Sequence, residues 1–127
     1  MHWLAVAIGG AIGALARYGI TILVTDMGDH KFPLATMLVN VLGSFVMGVL
    51  FVLLVEKTVV PDTVRPVFMV GFLGAFTTFS TFSLDTLSLW QNGDLLIALL
   101  YALGTVVLCL TAISVAVWLT SLVLITF

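Results

Sequence analysis

The residues of this chain best suited to chemistry lie between Gly71 and Ser83, a stretch rich in hydroxyl groups and phenylalanine. It reads Gly-Phe-Leu-Gly-Ala-Phe-Thr-Thr-Phe-Ser-Thr-Phe-Ser. Threonine and glycine both weaken a helix locally, and hydroxyl groups can bond the backbone groups that a break leaves unpaired. The pattern therefore predicts a broken helix, whose freed carbonyl oxygens would suit a hard cation such as Na⁺.

Two phenylalanines of this stretch, Phe79 and Phe82, are three residues apart and therefore share one face of a helix. An aromatic ring is positive at its edge, so ring edges that point into a pathway attract an anion without presenting a full charge. The neighbouring hydroxyls of Ser80 and Thr81 are hydrogen-bond donors. These four residues fit a pathway for a small anion. The simpler alternative is that both rings pack against neighbouring helices or lipid.

Other polar side chains also lie inside apolar segments. The amide of Asn40 is costly in lipid unless it is paired, so it either projects into a pathway or bonds another helix. Arg17 either reaches back to the membrane surface or raises the local anion concentration in a vestibule. Tyr101 donates to an anion or anchors at the interface. The carboxylate of Asp85 either faces water or accepts a hydrogen bond from a nearby donor.

The elements that position these residues must be membrane helices, because 62% of the chain is hydrophobic and only 8% is charged. A soluble domain carries about 25% charged residues. A helix needs about 20 apolar residues to cross the hydrocarbon core. Four stretches meet this need: 3–25, 32–55, 64–90 and 95–125. Residues 1–127 are thus predicted to form one all-α transmembrane domain, with the third helix broken near the bilayer midplane.

Several kinds of function are excluded by the same sequence. A net charge of −2 without a basic tail argues against binding nucleic acid. His2 and His30 are expected at the surface and are too far apart in sequence to form a metal site, while the lone Cys109 is expected to be a small buried hydrophobe. No nucleophile–base pair or phosphate loop indicates an enzyme. No basic segment precedes the first apolar stretch, which is therefore interpreted as a retained helix.

The positive charges are almost evenly divided between the two sides that four spans would create. Lys57 and Arg65 fall on the side of the termini, and Lys31 falls on the other side with Arg17. Because an excess of Lys and Arg normally fixes orientation, this balance predicts insertion in both directions, or dual topology. A broken helix at membrane depth must also be covered by another protein surface.

The stretch Gly71–Ser83 resembles the signature of the Fluc family of fluoride channels, also called CrcB. Three further features agree with that family: Arg17 in Gly-Ala-Leu-Ala-Arg-Tyr, Asn40 in Thr-Met-Leu-Val-Asn-Val-Leu-Gly-Ser-Phe, and Tyr101 early in the fourth span. The resemblance covers the length and the four-span layout. The chain departs from the family pattern at four positions. Alanine replaces the usual glycine at Ala35 and Ala75, and the fourth span has Thr105 and Cys109 where some members of the family have serine.

The resemblance implies an antiparallel, dual-topology homodimer in the plasma or inner membrane that passively exports fluoride and lowers its cytoplasmic level. It also implies a structural Na⁺ at the dimer centre, held by the backbone carbonyls of Gly74 and Thr77 and not transported. The implied fluoride pathway comprises Asn40, Phe79, Ser80, Thr81, Phe82, Tyr101 and Arg17.

Two other classes of function compete with this interpretation. A small four-helix, proton-coupled multidrug exporter needs an acidic residue inside the membrane. The first two spans contain none, and Asp85 is the only candidate in the third. A passive assembly subunit is the other alternative, but such a scaffold gains little from a hydroxyl-rich break.

Overall fold

The computed structural model describes residues 2–29, 31–57 and 59–126 as an all-helical protein. Among these described residues, four helical stretches are long and apolar enough to cross a membrane: His2–Asp26, Leu34–Glu56, Asp62–Gln91 and Leu95–Thr126. The prediction of an all-α protein with four apolar spans is therefore confirmed. His2 is exposed, as expected, whereas His30 lies outside the described residues.

Helix α1 spans His2–Asp26, and helix α2 spans Leu34–Leu50. Helix α2 starts after Pro33, which has no N–H to donate and disfavours a helical conformation in the residue before it. The second span continues as a π-helical segment over Phe51–Glu56. There the amide of Lys57 bonds the Val52 carbonyl five residues back, at 2.9 Å. The wider turns leave carbonyl groups at the end of the span that need other donors.

The third span is assembled from several short pieces. A 3₁₀ turn over Asp62–Val64 leads into a π-helical segment over Pro66–Phe72 and then into α3, Leu73–Phe76. Helix α4, Phe79–Gln91, completes the span. Two residues, 77 and 78, separate α3 from α4, and the candidate site is built around them.

Helix α5 covers Leu95–Thr126, 32 residues in all. At about 1.5 Å per residue it is about 48 Å long. That length exceeds the hydrocarbon core of roughly 30 Å, so α5 must tilt or extend beyond it. The turn from α4 into α5 passes through Gly93, whose φ of 84° is one that residues with a side chain rarely adopt.

Among the described residues, two clusters of buried side chains lie on the two sides of the interruption in the third span. Val39, Leu73 and Phe76 pack together where α2 meets α3. Leu89, Ala98 and Tyr101 pack together where α4 meets α5, with Phe82 against them. The two clusters fix the ends of α3 and α4 independently, and the residues between them are held by polar contacts instead.

Glycines let α1 lie directly against the third span. A Cβ on Gly9 would lie 2.6 Å from the Val67 carbonyl oxygen, and one on Gly13 would collide with the Phe72 carbonyl. A Cβ on Gly71 would lie 2.7 Å from the Val6 carbonyl oxygen. Small residues allow this backbone-to-backbone approach, which replaces the hydrophobic driving force that lipid does not supply.

Ion pairs tie the connections together at both ends of the bundle. Lys31 Nζ lies 2.6 Å from Asp94 Oδ1, so the α1–α2 connection meets the α4–α5 connection. At the other end, Arg65 Nε donates to the Leu54 carbonyl at 2.8 Å and its guanidinium lies 3.1 Å from Asp62. Arg65 thereby supplies a donor to the end of the π-helical segment. The arrangement agrees with four spans that cross in alternating directions.

Candidate functional site

The centre of the candidate site is the extended backbone at Thr77 and Thr78. Thr77 has φ −82° and ψ 159°, and Thr78 has φ −152° and ψ 118°, which are strand-like angles. Helix α3 ends at Phe76 and α4 begins at Phe79. Two consecutive extended residues remove helical hydrogen bonds, so their backbone groups need partners from elsewhere in the protein.

Asn40 of α2 supplies those partners. The Thr78 amide donates to Asn40 Oδ1 at 2.8 Å, and Asn40 Nδ2 donates to the Thr78 carbonyl at 3.0 Å. One side-chain amide therefore replaces the helical partner of the Thr78 amide, while the Thr78 carbonyl, at the N-cap of α4, also accepts the first hydrogen bond of that helix. The amide nitrogen of asparagine carries two protons, so Asn40 keeps a second N–H beyond this pairing.

The same pairing frees a carbonyl on the exposed side of α3. In a continuous helix the Thr78 amide would bond the Gly74 carbonyl four residues back, but it donates to Asn40 instead. Gly74 is exposed, and its missing side chain leaves that surface open. Thr77 is anchored differently, because its amide and its hydroxyl both donate to the Leu73 carbonyl, at 3.0 and 2.9 Å.

Thr78 also starts helix α4. Its Oγ1 accepts a hydrogen bond from the Thr81 amide at 3.2 Å and donates to Thr81 Oγ1 at 3.1 Å. A threonine in extended conformation three residues before the bonded amide is a typical helix N-cap. Ser80 Oγ lies 3.4 Å from the same hydroxyl. The three hydroxyl groups therefore form one connected polar cluster at the start of α4, in a segment of membrane-spanning length.

Gly43, one turn along α2 from Asn40, makes room for the break. A Cβ at this position would collide with the Thr77 methyl group. Asn40 and Gly43 lie on one face of α2 because they are three residues apart. One face of α2 thus both pairs with the extended backbone and admits the threonine side chain beside it.

The phenylalanines predicted to share a face do so. The ring centroids of Phe79 and Phe82 are 5.5 Å apart, with the planes at 46°. Phe82 also packs on Tyr101, at 5.3 Å and 42°. Phe79 is 77% exposed, so its ring projects away from this chain. One ring is thus held inside the bundle, while the other is free to meet whatever covers the surface of α4.

Tyr101 is fully buried, and its hydroxyl donates to Asp85 Oδ2 at 3.0 Å. Its ring meets Phe32 edge-on, with centroids 5.5 Å apart. The single hydroxyl proton of Tyr101 is therefore engaged by Asp85, which accepts it. The contact of Tyr101 with the candidate pathway is its ring against Phe82.

A cavity of about 350 Å³ borders the break and its aromatic rings. Thr105 of α5 is 4% exposed and lines this cavity, and its Oγ1 has no hydrogen-bond partner among the described residues. A buried hydroxyl without a partner is uncommon and costs free energy. The lining comprises Asn40, Gly43, Ser44, Met47, Thr77, Thr78, Phe79, Phe82, Thr105, Val106, Cys109, Leu110 and Ile113.

A second cavity, of about 290 Å³, contains Arg17 on the other side of Thr78. Arg17 is half-buried, and within the described part of the chain its guanidinium forms no ion pair. Hydroxyl groups from α1, α2 and α4 share this cavity: Thr21, Thr36, Thr78 and Thr81. The space offers a positive charge together with neutral donors.

The structure thus brings most of the predicted residues together around the two extended threonines. Asn40, Phe79 and Phe82 line the first cavity, and Arg17 and Thr81 line the second. Ser80 bonds into the same hydroxyl cluster, and Gly74 lies one turn before the break. Tyr101 joins them only through Phe82.

Two residues of the site were missed in the sequence. Thr78 appears there only as one hydroxyl among several, although its position three residues before Thr81 is an N-cap spacing. In the sequence, Thr105 stands out only as a departure from the serine of some family members, and its burial beside the cavity is what places it at the site.

Comparison with known proteins assigns the family. The family model described as CrcB-like protein, Camphor Resistance (CrcB), matches residues 4–117. A protein of Saccharophagus degradans named fluoride-specific ion channel FluC is 56% identical over 93% of this chain and 88% of its own length. A protein of the same name from Hahella chejuensis is 50% identical over 97% of both chains. A third, from Magnetococcus marinus, is 52% identical over 84% of this chain and 87% of its own.

The range matched by the family model, residues 4–117, reaches into all four spans and contains residues 77–82 and Asn40. The chain belongs to the CrcB family, and it is a multi-pass protein of the cell membrane, not an enzyme.

Proposed function

We propose that this chain forms a fluoride-specific channel that lets F⁻ leave the cell passively and so lowers cytoplasmic fluoride. The observation that carries the proposal is the extended segment at Thr77 and Thr78, paired to Asn40 and flanked by the rings of Phe79 and Phe82. The relatives named as fluoride-specific ion channels support the choice of ion.

The polar groups beside the break match what fluoride requires. Fluoride is small and strongly hydrated, so a pathway must replace its water with hydrogen-bond donors as it enters. Ser80 and Thr81 offer hydroxyls, and Asn40 offers its second N–H. The positive edges of Phe79 and Phe82 add attraction without a fixed charge. Because none of these groups is ionised, the anion is not held so tightly that it cannot leave.

Arg17 acts at the entrance in this proposal. Its guanidinium occupies a half-open cavity with hydroxyl groups and is not paired to a carboxylate of the described residues. A positive charge at a vestibule raises the local concentration of anions without taking part in the narrow passage. Tyr101 contributes by packing its ring against Phe82, since its hydroxyl proton is engaged by Asp85.

A structural Na⁺ fits the exposed side of the break. The Gly74 carbonyl loses its helical donor because the Thr78 amide bonds Asn40, and Gly74 itself is exposed. Carbonyl oxygens are suitable ligands for a hard cation. The Gly74 and Thr77 carbonyls of two copies would hold the ion between them. The ion would offset the partial negative charge of the carbonyl oxygens at the two breaks and would not be transported.

An antiparallel homodimer would supply the cover that the break requires. Gly74, Phe79, Ser80 and Ser83 are exposed on one chain. The Gly74 carbonyl has lost its helical donor to Asn40, and an unpaired backbone group is costly against lipid. A second copy inserted in the opposite direction would place its own break against this surface, near the bilayer midplane. The near balance of Lys and Arg across the membrane permits both insertions.

The direction of transport follows from the membrane potential in this proposal. Hydrogen fluoride enters as a neutral acid and dissociates inside the cell. The negative interior then drives the anion outward, with about 2.3 kcal/mol per 100 mV for one charge. A passive pathway is therefore sufficient for export.

Fluoride efflux from liposomes tests the proposal. Purified protein is reconstituted, the liposomes are loaded with potassium fluoride, and efflux is followed with a fluoride electrode after valinomycin is added. We expect rapid release that depends on voltage and is unaffected by collapsing the proton gradient. Efflux that requires a proton gradient, or no efflux above that of protein-free liposomes, would overturn the channel proposal. The first result would instead favour the proton-coupled exporter.

The structural Na⁺ has a separate test. Protein is prepared in buffers in which Na⁺ is fully replaced by N-methylglucamine, and efflux is compared with that of the Na⁺ preparation. We expect activity to fall in the organic cation and to return when Na⁺ is restored. Unchanged activity after complete replacement would contradict the Na⁺ site while leaving the fluoride pathway in place.

A further inference from the structure

The aromatic rings beside the break continue beyond the residues that the fluoride proposal uses. Phe79 lies 5.5 Å from Phe82, and Phe82 lies 5.3 Å from Tyr101, measured between ring centroids. A fourth ring, that of Phe32, meets Tyr101 at 5.5 Å with the two planes at 88°. Phe32 belongs to the connection between α1 and α2, so the series of rings runs from the break to that end of the bundle.

The backbone around Phe32 is restrained by the start of α2. Pro33 follows directly, and a proline confines the residue before it to extended conformations. The Leu34 amide donates to the Phe32 carbonyl at 2.7 Å, which closes a tight turn at the first residue of α2. The ring packs against the buried cluster where α4 meets α5. A side chain of a connecting segment is thus built into the packing of two other helices.

An ion pair holds the chain on the other side of Phe32. Lys31, the residue before it, places its Nζ 2.6 Å from Asp94 Oδ1, and the Asp94 side chain is only 20% exposed. The Asp94 amide donates to the Leu89 carbonyl at 2.9 Å, so the acid has a fixed position between α4 and α5. Phe32 is therefore anchored by the ion pair before it and by the start of α2 after it.

The ring of Tyr101 needs such an anchor, because its hydrogen bond does not fix its plane. The hydroxyl lies on the axis about which a tyrosine ring turns, so the 3.0 Å bond to Asp85 holds the tip and leaves the rotation free. Contacts with the ring itself must restrain that rotation. Phe82 contacts it, but the next ring along, Phe79, is 77% exposed and gives little support. Phe32 restrains the ring from the anchored end.

We propose that Phe32 is a positioning residue of the pathway. It fixes the plane of the Tyr101 ring, and Tyr101 in turn holds Phe82 in the orientation that presents its positive ring edge to the anion. The ion pair between Lys31 and Asp94 stabilises Phe32 in this position. The effect on fluoride flux rests on the proposed function, whereas the effect of Phe32 on the Tyr101 ring does not.

Fluorine NMR tests the ring contact directly, because Tyr18 and Tyr101 are the only tyrosines of the chain. Protein labelled with meta-fluorotyrosine is purified in detergent without free fluoride, and Tyr18→Phe assigns the two signals. Tyr18 is 64% exposed and serves as the internal reference. We expect Phe32→Leu to move the Tyr101 signal toward the exposed reference and to speed its ring flips. The control Phe51→Leu, at the other end of the second span, should do neither. An unchanged Tyr101 signal in Phe32→Leu would overturn the proposal.

Fluoride efflux from liposomes tests the consequence for the pathway. We expect Phe32→Leu to lower the efflux rate by roughly two- to tenfold, the range that the loss of one aromatic pair would produce. Phe32→Tyr, which keeps the ring, should retain nearly wild-type efflux, and Phe51→Leu should be unaffected. Because Phe32 acts through Phe82, Phe32→Leu should cause no further loss in a Phe82→Ile background. The same proportional loss in both backgrounds would reduce Phe32 to a general support of the fold and contradict the positioning role.

The ion pair is tested by Asp94→Asn, which leaves the number of positive charges unchanged. We expect it to move the Tyr101 signal in the same direction as Phe32→Leu but by less. If Phe32→Leu moves the signal and Asp94→Asn does not, the ring contact stands and the part given to the ion pair is wrong. A moved signal with wild-type efflux would contradict the role of Phe32 in the pathway. Absence of any fluoride flux in the wild type would count against the proposed function alone, because the NMR measurement is made without transport.

Discussion

At the scale of single residues, Asn40 shows how one side chain stabilises an unfavourable backbone. It accepts from the Thr78 amide and donates to the Thr78 carbonyl, so neither group is left unpaired in a segment surrounded by apolar helices. An unsatisfied backbone group away from water costs about 1–3 kcal/mol. The pairing also leaves one N–H of Asn40 beside the cavity, where the proposed pathway needs a donor.

Replacement of Asn40 should therefore affect stability and flux together. We expect Asn40→Ala to lower the free energy of unfolding by roughly 1–3 kcal/mol, because it leaves the Thr78 amide without a partner. Thermal unfolding in detergent, followed by circular dichroism, measures this loss. Asn92→Ala is the control, since Asn92 lies in the exposed turn after α4. Equal melting temperatures for the two variants would show that the Asn40 contact contributes nothing.

Phe82 is the residue at which the ring-edge argument is most directly tested. Isoleucine is apolar and of similar bulk but has no positive ring edge, so Phe82→Ile should remove the attraction for the anion while preserving assembly. We expect fluoride efflux to fall at least about tenfold, equivalent to about 1.4 kcal/mol on the barrier. Phe45→Ile on the surface of α2 is the matched control. Normal efflux from correctly assembled Phe82→Ile would refute a role for the ring.

At the scale of elements, the third span is held in place by close backbone contact on one face and by polar pairing at its break. Gly9 and Gly13 of α1 lie against Val67 and Phe72 with no room for a side chain. This contact fixes the first half of the span, and the cluster around Tyr101 fixes α4. With both halves fixed, the two extended threonines cannot relax into a continuous helix without moving α1 or α5.

Two glycines of α1 allow this packing to be tested within one helix. A Cβ on Gly13 collides with the Phe72 carbonyl, whereas one on Gly19 meets nothing within 4 Å. Gly13→Ala should destabilise the fold by about 1–3 kcal/mol through overpacking. Gly19→Ala should be neutral or stabilising by up to about 1 kcal/mol, because alanine favours helix.

Melting temperature and size-exclusion profile in detergent distinguish the two alanine variants. We expect the melting temperature to fall in Gly13→Ala and to stay the same or rise in Gly19→Ala. The two variants have the same composition and differ only in the position of the added methyl group. Similar stability for the two would mean that α1 does not lie as closely against the third span as the backbone positions indicate.

For the whole molecule, the important feature is that a single chain leaves the freed Gly74 carbonyl on an exposed surface. Phe79, Ser80 and Gly74 are all exposed, and lipid cannot bond the freed backbone there. The positive charges give neither orientation a clear advantage. The second chain in the opposite orientation that we propose would cover this surface and agrees with the balanced charge.

Reporter fusions measure this dual orientation in cells. Alkaline phosphatase, active outside the cytoplasm, and green fluorescent protein, fluorescent inside, are fused separately at the C-terminus, and both should report. Lys57→Gln should shift the C-terminus toward the outside, and Lys31→Gln should shift it inward, because each removes one of very few orienting charges. A signal from one side only, unmoved by either substitution, would contradict dual topology.

The helical class, the four spans and most residues of the candidate site are predictable from the order of the amino acids. A long apolar segment in lipid forms a helix, because a helix pairs its own backbone N–H and C=O groups. This pairing does not depend on the neighbouring helices. The hydroxyl-rich stretch and the pair Phe79 and Phe82 were readable because their signals are local. Family resemblance, which the comparisons confirm, added the choice of ion.

The contacts that these residues make, in contrast, can be known only from the folded structure. That Asn40 pairs with the Thr78 backbone, and that Tyr101 donates to Asp85, depends on contacts between helices far apart in sequence. The burial of Thr105 and the contact of Phe32 with Tyr101 arise in the same way. Hydrogen bonds and cavities are properties of packed pairs of helices, whereas composition and periodicity describe one segment at a time.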